Sequence, residues 1–197
     1  MKNICSILQS AAFSLVAGAG ITATLPLRAA EPIALCAPDG KHTASANEHG
    51  RIEYREAVDN SVKTTFYACH VQALAFSNDG QLLGAVSGQN GNPGKIKIWR
   101  VKDGGQLCEI STANEVIKAI AISDNGRLVV GASSTGQLKA WRVADGVMQW
   151  TRPVLSPAQS IQFKDNGNRL VVELAQGKAC FLDPKTGRNS SLETAGQ

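Results

Sequence analysis

The 197-residue sequence has few aromatic residues, few charged residues and no long run of either charge. Aromatic residues make up 5% of the chain and charged residues 18%, so a core has to be built mainly from Val, Ile, Leu and Ala. Proline is scarce beside glycine, with 7 residues against 19, which favours many tight turns over long helices. The composition therefore predicts a turn-rich, soluble protein, and its length gives room for one substantial domain or two small ones.

Motifs of common catalytic sites are also missing. The sequence contains no H-E-x-x-H, C-x-x-C, G-x-S-x-G or P-loop pattern. Its three histidines are His42, His49 and His70, of which the first two are predicted to lie in a strand and a turn rather than on one helical face. The glycine-rich segment 88–94 lacks the lysine and the following helix that a phosphate cradle needs. We therefore predict a protein that is not an enzyme and binds neither metal nor cofactor.

Residues 1–30 have the features of a secretory signal peptide. Lys2 is followed by a weakly apolar run of small residues that Pro26 interrupts, and small residues at 29 and 30 suit cleavage. Two glycines and this proline make the run a poor permanent membrane span. Without Lys2 and Arg28, 18 basic residues face 16 acidic ones and the net charge falls from +4 to +2. We predict an exported protein, periplasmic or secreted, that binds neither nucleic acid nor, after cleavage, a membrane.

Four cysteines remain after cleavage, and none of them is in a C-x-x-C pair. An even number in an oxidising compartment permits disulfides, with three possible pairings. Each cysteine also lies in or beside a predicted strand, where a buried thiol is the commoner state. The sequence favours buried thiols and leaves disulfides open for Cys36, Cys69, Cys108 and Cys180.

Glycines recur at regular spacing and divide the chain into four units. One glycine ends the turn after the first strand of each unit, at Gly40, Gly80, Gly126 and Gly167. A second glycine opens the third strand, at Gly50, Gly94, Gly136 and Gly177. The period of 40 to 46 residues is typical of propeller blades. We place the units at about 32–68, 69–113, 114–153 and 154–192, with a tail at 193–197.

The third unit shows the predicted organisation most clearly. Four short runs, at 117–123, 128–134, 138–143 and 147–151, alternate or are β-branched, and each is separated from the next by a turn signal such as Asn-Gly or Asp-Gly. These dipeptides tolerate the positive φ of tight hairpin turns. The pattern predicts a meander of four antiparallel strands in each unit.

Two segments resemble WD40 repeats: AFSNDGQLLGAVSG followed by GKIKIWRV, and AISDNGRLVVGASSTGQLKAWRVADG. Trp99 and Trp141 stand at the tryptophan of the WD pair, but Arg100 and Arg142 replace its aspartate. His70 matches the histidine that precedes the first strand in that family. The resemblance covers about residues 32–192. It implies an all-β, WD40-like β-propeller of about four blades, each of four strands.

Four blades fill little more than half of the ring that seven-bladed WD40 proteins form. The ring is then an open arc, is completed by self-association with a second chain, or belongs to a truncated copy of a longer protein. Apolar faces at the ends of an arc would favour assembly.

The resemblance implies a non-catalytic scaffold that binds another protein. Partners of WD40 proteins bind the face formed by the loops that lead into each blade and by the loops between second and third strands. The residues at these places, beside Cys69, are Glu48, His49, His70, Gln89, Asn90, Asn92, Asn114 and Glu115.

A second resemblance is to the repeats of propellers that bind pyrroloquinoline quinone (PQQ). The segments WRVADGVMQW and FLDPKTG carry it, with Trp150 as the residue that would dock on the next unit. It implies as an alternative a PQQ-like scaffold or a quinone-binding enzyme.

Overall fold

The computed structural model of the chain describes residues 33–88, 94–112, 115–174 and 177–190. The predicted signal peptide and tail, and the predicted binding residues Gln89, Asn90, Asn92 and Asn114, lie outside these ranges. No helix that could span a lipid bilayer occurs among the described residues.

The described chain is all-β, as predicted, and its strands follow the repeat. The first unit contains β1 (Ile33–Cys36), β2 (His42–Ala46), β3 (Arg51–Glu56) and β4 (Val62–Tyr67). The second contains β5 (Val71–Phe76), β6 (Leu82–Ser87), β7 (Lys95–Arg100) and β8 (Gln106–Ser111). The third contains β9 (Ile117–Ile122), β10 (Leu128–Ser133), β11 (Gln137–Arg142) and β12 (Met148–Pro153). The fourth contains β13 (Ala158–Lys164), β14 (Arg169–Leu174) and β15 (Ala179–Leu182).

Each unit forms its own antiparallel meander, so the strands pair within a unit and not between distant units. The sheet orders are β1-β2-β3-β4, β5-β6-β7-β8, β9-β10-β11-β12 and β13-β14-β15. The fourth sheet thus has three strands, and a single antiparallel bridge joins Leu182 to Asn189 at the place where the other sheets have a fourth strand. The residues that follow this bridge in the sequence, 191–197, lie outside the described ranges. We call the four sheets blades 1 to 4.

The predicted turn chemistry is present at the first glycine landmark. Gly40, Gly80, Gly126 and Gly167 all have φ between +65° and +80°, a region that other residues rarely adopt. In blades 2 and 3 a serine hydroxyl, from Ser77 or Ser123, accepts the amide N–H five residues later and closes the turn. Blade 4 has Lys164 at the serine position, and there Asp165 and Asn166 also take positive φ.

Three apolar clusters hold the blades together, one at each interface between successive blades. The first joins Ile52 and Phe66 of blade 1 to Leu83 and Trp99 of blade 2. The second joins blades 2 and 3 around Trp141, and the third joins blades 3 and 4. The described residues form no fourth cluster between blades 4 and 1, so the blades make an open propeller-like arc. Stacking covers the faces that a single sheet cannot bury alone.

The outer face of blade 1 is polar at positions that are apolar inside the arc. Thr43 and Arg55 occupy the two positions by which the later blades contact the blade before them. The equivalent side chains are buried and apolar: Leu83 and Trp99, Val129 and Trp141, Leu170 and Leu182. Arg55 is instead ion-paired with Glu53 at 2.5 Å and donates a hydrogen bond to the Asn60 carbonyl at 2.8 Å.

The outer face of blade 4 shows the same change. Arg169 and Glu173 stand where blades 2 and 3 direct apolar side chains at the next blade, namely Leu82 and Val86, Leu128 and Ala132. Arg169 is paired with Asp165 at 3.0 Å, and Glu173 accepts a hydrogen bond from Ser160 at 2.7 Å. The expectation of apolar end faces is therefore wrong at these positions, where charged pairs face water, whereas Val171 and Phe181 of blade 4 remain apolar between them.

The prediction of buried thiols is wrong at Cys69. Cys69, Cys108 and Cys180 are free, but Cys69 is exposed and the other two are half-buried. Burial raises the pKa of the Cys108 thiol, and the nearby Asp145 carboxylate raises it further. Cys108 therefore stays a neutral thiol at physiological pH.

Candidate functional site

Loops between second and third strands lie beside the connections that lead into the next blade, all at one end of the arc. The amide N–H groups of Ala68, Thr112 and Val154 donate to the carbonyls of Gly50, Gly94 and Gly136, at 2.8 to 2.9 Å. A side chain at Gly50 would overlap the Ala68 carbonyl, since its Cβ would lie 2.3 Å from that oxygen. Gly50 thus has to be a glycine for its loop to approach this connection so closely. We call this end of the arc the loop face.

The predicted binding residues that the structure describes all belong to the loop face, but they differ in exposure and in ion pairing. Glu48 and His49 lie in the β2–β3 turn with side chains 81% exposed, and their Oε1 and Nε2 atoms are 3.6 Å apart. His70 is exposed in the connection to blade 2, with φ of +51°. Glu115 is half-buried and its carboxylate is paired with Lys139 of β11 at 2.8 Å. Glu48, His49 and His70 are therefore accessible to a partner, whereas Glu115 helps to fix the connection to blade 3.

His70 does not form the link to tryptophan that the WD40 pattern would allow. No hydrogen bond between His70 and Trp99 is found in the described part of the chain. Trp99 is instead buried in the interface between blades 1 and 2, where its ring centroid lies 5.3 Å from that of Phe66. The role of Trp99 is packing.

A cavity of about 580 Å³ lies at the opposite end of the arc, bordered by the inner strands of all four blades. The turns after β5, β9 and β13 line it through Asn78, Asp124 and Asp165, and its exposed lining is more polar than apolar. Asn78 Nδ2 donates to Asp124 Oδ1 at 2.5 Å across this mouth. Sequence reasoning assigned these turn residues to hairpin geometry alone and missed that they tie blades together, because the repeat pattern does not show which turns meet in space.

The described ranges contain no metal-binding cluster, and His42 belongs to a local turn. No group of three or more His, Cys, Asp or Glu side chains there could hold a metal ion. His42 forms a close pair with Asp39, at 2.6 Å between Nδ1 and Oδ2, and stacks on Tyr54 at 4.8 Å between ring centroids. Asp39 also accepts the Lys41 amide N–H at 2.8 Å, which makes the pair part of the β1–β2 turn. Burial raises the pKa of Asp39, but these hydrogen bonds outweigh it and lower the value overall.

Trp150 docks on the turn that follows β15, as the PQQ-type resemblance implied. Its indole Nε1 donates to the Pro184 carbonyl at 2.8 Å. Gly187 lies against the ring, so that a Cβ there would come within 2.8 Å of the indole carbons. The contact joins blade 3 to blade 4 near their outer edges.

A second cavity, of about 340 Å³, lies between blades 3 and 4. We call it the interblade cavity, and its lining residues are Arg152, Pro153, Val154, Leu155, Cys180, Leu182 and Asn189. One signal for it is present in the sequence, because Leu182 occupies the position at which the second and third units have Trp99 and Trp141.

Comparisons with known proteins agree with this architecture. Residues 74–190, more than half of the chain, match the family model described as outer membrane protein assembly factor BamB, a PQQ-type repeat model. The chain is also similar to an uncharacterised WD repeat-containing protein of Synechocystis sp., with 25% identity over 138 residues. That match covers 68% of this chain but 38% of the relative, so the chain spans well under half of the relative's length.

Proposed function

Since the chain belongs to the BamB-like family of PQQ-type propeller repeats, we propose that it is an exported, non-catalytic scaffold that binds another protein. The family description names an assembly factor for outer membrane proteins, which supports a location outside the cytoplasm and a role in protein assembly. The features of residues 1–30 support the same location. Fold alone does not define function, so the proposal depends on a surface that a partner can reach.

The observation that carries the proposal is the exposed loop face. The side chains of Glu48 and His49 are each 81% exposed. His70 is also exposed, in the connection from blade 1 to blade 2. Exposed polar loops on a rigid sheet scaffold are a common arrangement for protein recognition. Glu115 has its carboxylate in an ion pair, so we expect it to support the loop rather than contact the partner.

A pull-down with matched variants tests the proposal. We expect a Glu48→Ala, His49→Ala, His70→Ala triple variant to lose the protein that the wild type captures from a cell-envelope extract. Lys41→Ala with Lys185→Ala is the control, because both lysines are exposed in turns at the opposite end of the arc. Equal capture by all three proteins would contradict a role for the loop face.

A second possible partner is another copy of this chain, which would complete the ring by self-association. The charged pairs on the end faces weaken the apolar driving force for such closure. Light scattering on the mature chain distinguishes a monomeric arc from a closed assembly. A bound chromophore in the purified protein would instead favour the quinone-binding alternative, and continuation of the repeats in the flanking DNA would favour a truncated copy.

A further inference from the structure

The interface between blades 3 and 4 lacks the large side chains that fill the other two. At the first interface Phe66 of β4 packs on Trp99 of β7, and at the second Ile110 of β8 joins the same cluster as Trp141 of β11. Strand register places Arg152 of β12 at the position of Phe66 and Ile110. Leu182 is at the tryptophan position. A smaller side chain and a cation thus replace two bulky apolar groups, and the interblade cavity of about 340 Å³ is the space that remains.

The walls of the interblade cavity are suited to an apolar group. Pro153, Val154, Leu155, Cys180 and Leu182 contribute carbon and sulfur surface. Leu155 is 100% exposed on the connection to blade 4. A fully exposed leucine beside an apolar cavity marks a surface that gains by being covered.

Charge at the interblade cavity is unbalanced. Arg152 is partly buried, and it is the one partly buried Lys or Arg side chain in the described ranges that has no ion pair. The other partly buried side chains of these two types all have carboxylate partners: Arg55, Lys97, Lys139 and Arg169. A partly desolvated guanidinium binds a carboxylate more strongly than an exposed one does, and its planar fork favours bidentate contact.

We propose that the interblade cavity binds a partner polypeptide that inserts a bulky apolar side chain, while an adjacent acidic residue pairs with Arg152. The inserted side chain takes the role that Phe66 and Trp99 have inside the first interface. This inference rests on the proposed scaffold function and names a second contact for it, between blades 3 and 4 and apart from Glu48, His49 and His70. Apolar anchors in pockets next to a charge pair are typical of the residues that dominate protein interfaces.

Peptide binding measured by amide chemical shifts in the full mature chain tests the proposal. The probes are three acetylated hexapeptides that contain Phe-Glu, Phe-Lys or Ala-Glu in an otherwise identical Gly-Ser background. We expect Phe-Glu to shift the amides of Leu155 and Leu182. It should bind at least about tenfold more tightly than Phe-Lys, which lacks the charge-assisted contact, and than Ala-Glu, which lacks the apolar side chain.

Two variants separate the apolar and the charged contribution. Leu182→Trp restores the side chain of the other interfaces, and we expect it to raise the unfolding temperature and to abolish Phe-Glu binding. Arg152→Glu should reverse the preference in favour of Phe-Lys. Arg127→Glu is the control, because Arg127 is exposed and lies outside the interblade cavity, and its peptide preference should match the wild type.

Four results would overturn the proposal. Equal binding of Phe-Glu and Phe-Lys, or no binding at all, would contradict a partner that combines an apolar and an acidic side chain. Nuclear Overhauser contacts from Leu192 to Cys180 or Leu182 would show that the chain's own residues 191–197 fill the space. A dimer that Leu182→Trp dissociates would assign the cavity to a second copy. Loss of capture by the loop-face variant is independent of these results, so failure here leaves the scaffold function standing.

Discussion

Asn78 in the β5–β6 turn donates a hydrogen bond to Asp124 in the β9–β10 turn, at 2.5 Å between Nδ2 and Oδ1. The same nitrogen lies 3.4 Å from the Phe163 carbonyl oxygen of blade 4. One amide group therefore links three blades at the inner edge of the arc. Its neighbours in sequence, Ser77 and Asp79, close the local turn, which leaves the Asn78 side chain available for this contact.

Replacing Asn78 with alanine should destabilise the arc by about 1 kcal/mol, because the Asp124 carboxylate loses its donor. Urea unfolding measures the change in the free energy of unfolding. Asn168→Ala is the control, since that exposed turn residue makes no side-chain hydrogen bond within the described ranges, and its unfolding curve should overlay the wild type. Equal stability of the two variants would show that the bond between blades contributes nothing.

Gly187 and Gly40 form a matched pair for the contact with Trp150. Their φ angles are +65° and +66°, so an alanine costs about 1 kcal/mol of backbone strain at either position. At Gly40 the new methyl group meets nothing within 4 Å, whereas at Gly187 it lies 2.8 Å from the indole of Trp150. We expect Gly187→Ala to cost about 1–3 kcal/mol more than Gly40→Ala, through overpacking. Thermal unfolding with Trp fluorescence measures both, and similar costs would contradict the docked position of Trp150.

The buried phenol of Tyr54 predicts a loss of stability in strong base. Burial and, to a smaller extent, the nearby Asp39 carboxylate raise its pKa to about 12. An unfolded tyrosine ionises near 10. Between these values the unfolded chain releases the proton and the folded chain keeps it, so the stabilisation is complete below pH 10 and is lost as the pH rises towards 12.

Unfolding measured from pH 9 to pH 12 in the wild type and in Tyr54→Phe tests this expectation. The stability of the wild type should fall more steeply with pH, since phenylalanine has no proton to release. Parallel curves would show that the phenol is not held in its neutral form.

The polar outer face of blade 1 predicts that one substitution can change the assembly state. Arg55→Trp places on this face the residue that packs between blades at positions 99 and 141. We expect this variant to self-associate in light scattering at concentrations where the wild type is monomeric. Lys102→Trp in an exposed turn is the control for added hydrophobicity alone. Identical masses for the two variants would argue against a protective role of Arg55.

The periodic part of the fold was predictable because its cause is local. Positive φ at Gly80 and Gly126 is required by a turn of a few residues, and the alternation in 117–123 determines which side of one strand is buried. The structure confirms the strands of the third unit within one or two residues of the predicted bounds.

The contacts between blades could not be predicted in the same way. The bond from Asn78 to Asp124 joins residues 46 positions apart, and nothing in either turn indicates that the two meet. The polarity of the end faces is visible in the sequence at Arg55 and Arg169, but its meaning depends on knowing which face of each blade points outwards. The interblade cavity likewise results from the combination of Arg152 and Leu182, which belong to different sheets.

The serial order of the three apolar clusters has a consequence for how such a chain can change over evolution. Every blade meets its sequence neighbours, and the described structure contains no seam at which the two ends must match. Duplication or loss of one internal blade therefore alters the length of the array without requiring a compensating change elsewhere. Such changes are restricted to the internal blades, because the charged residues of blades 1 and 4 have to stay on faces that no other blade covers.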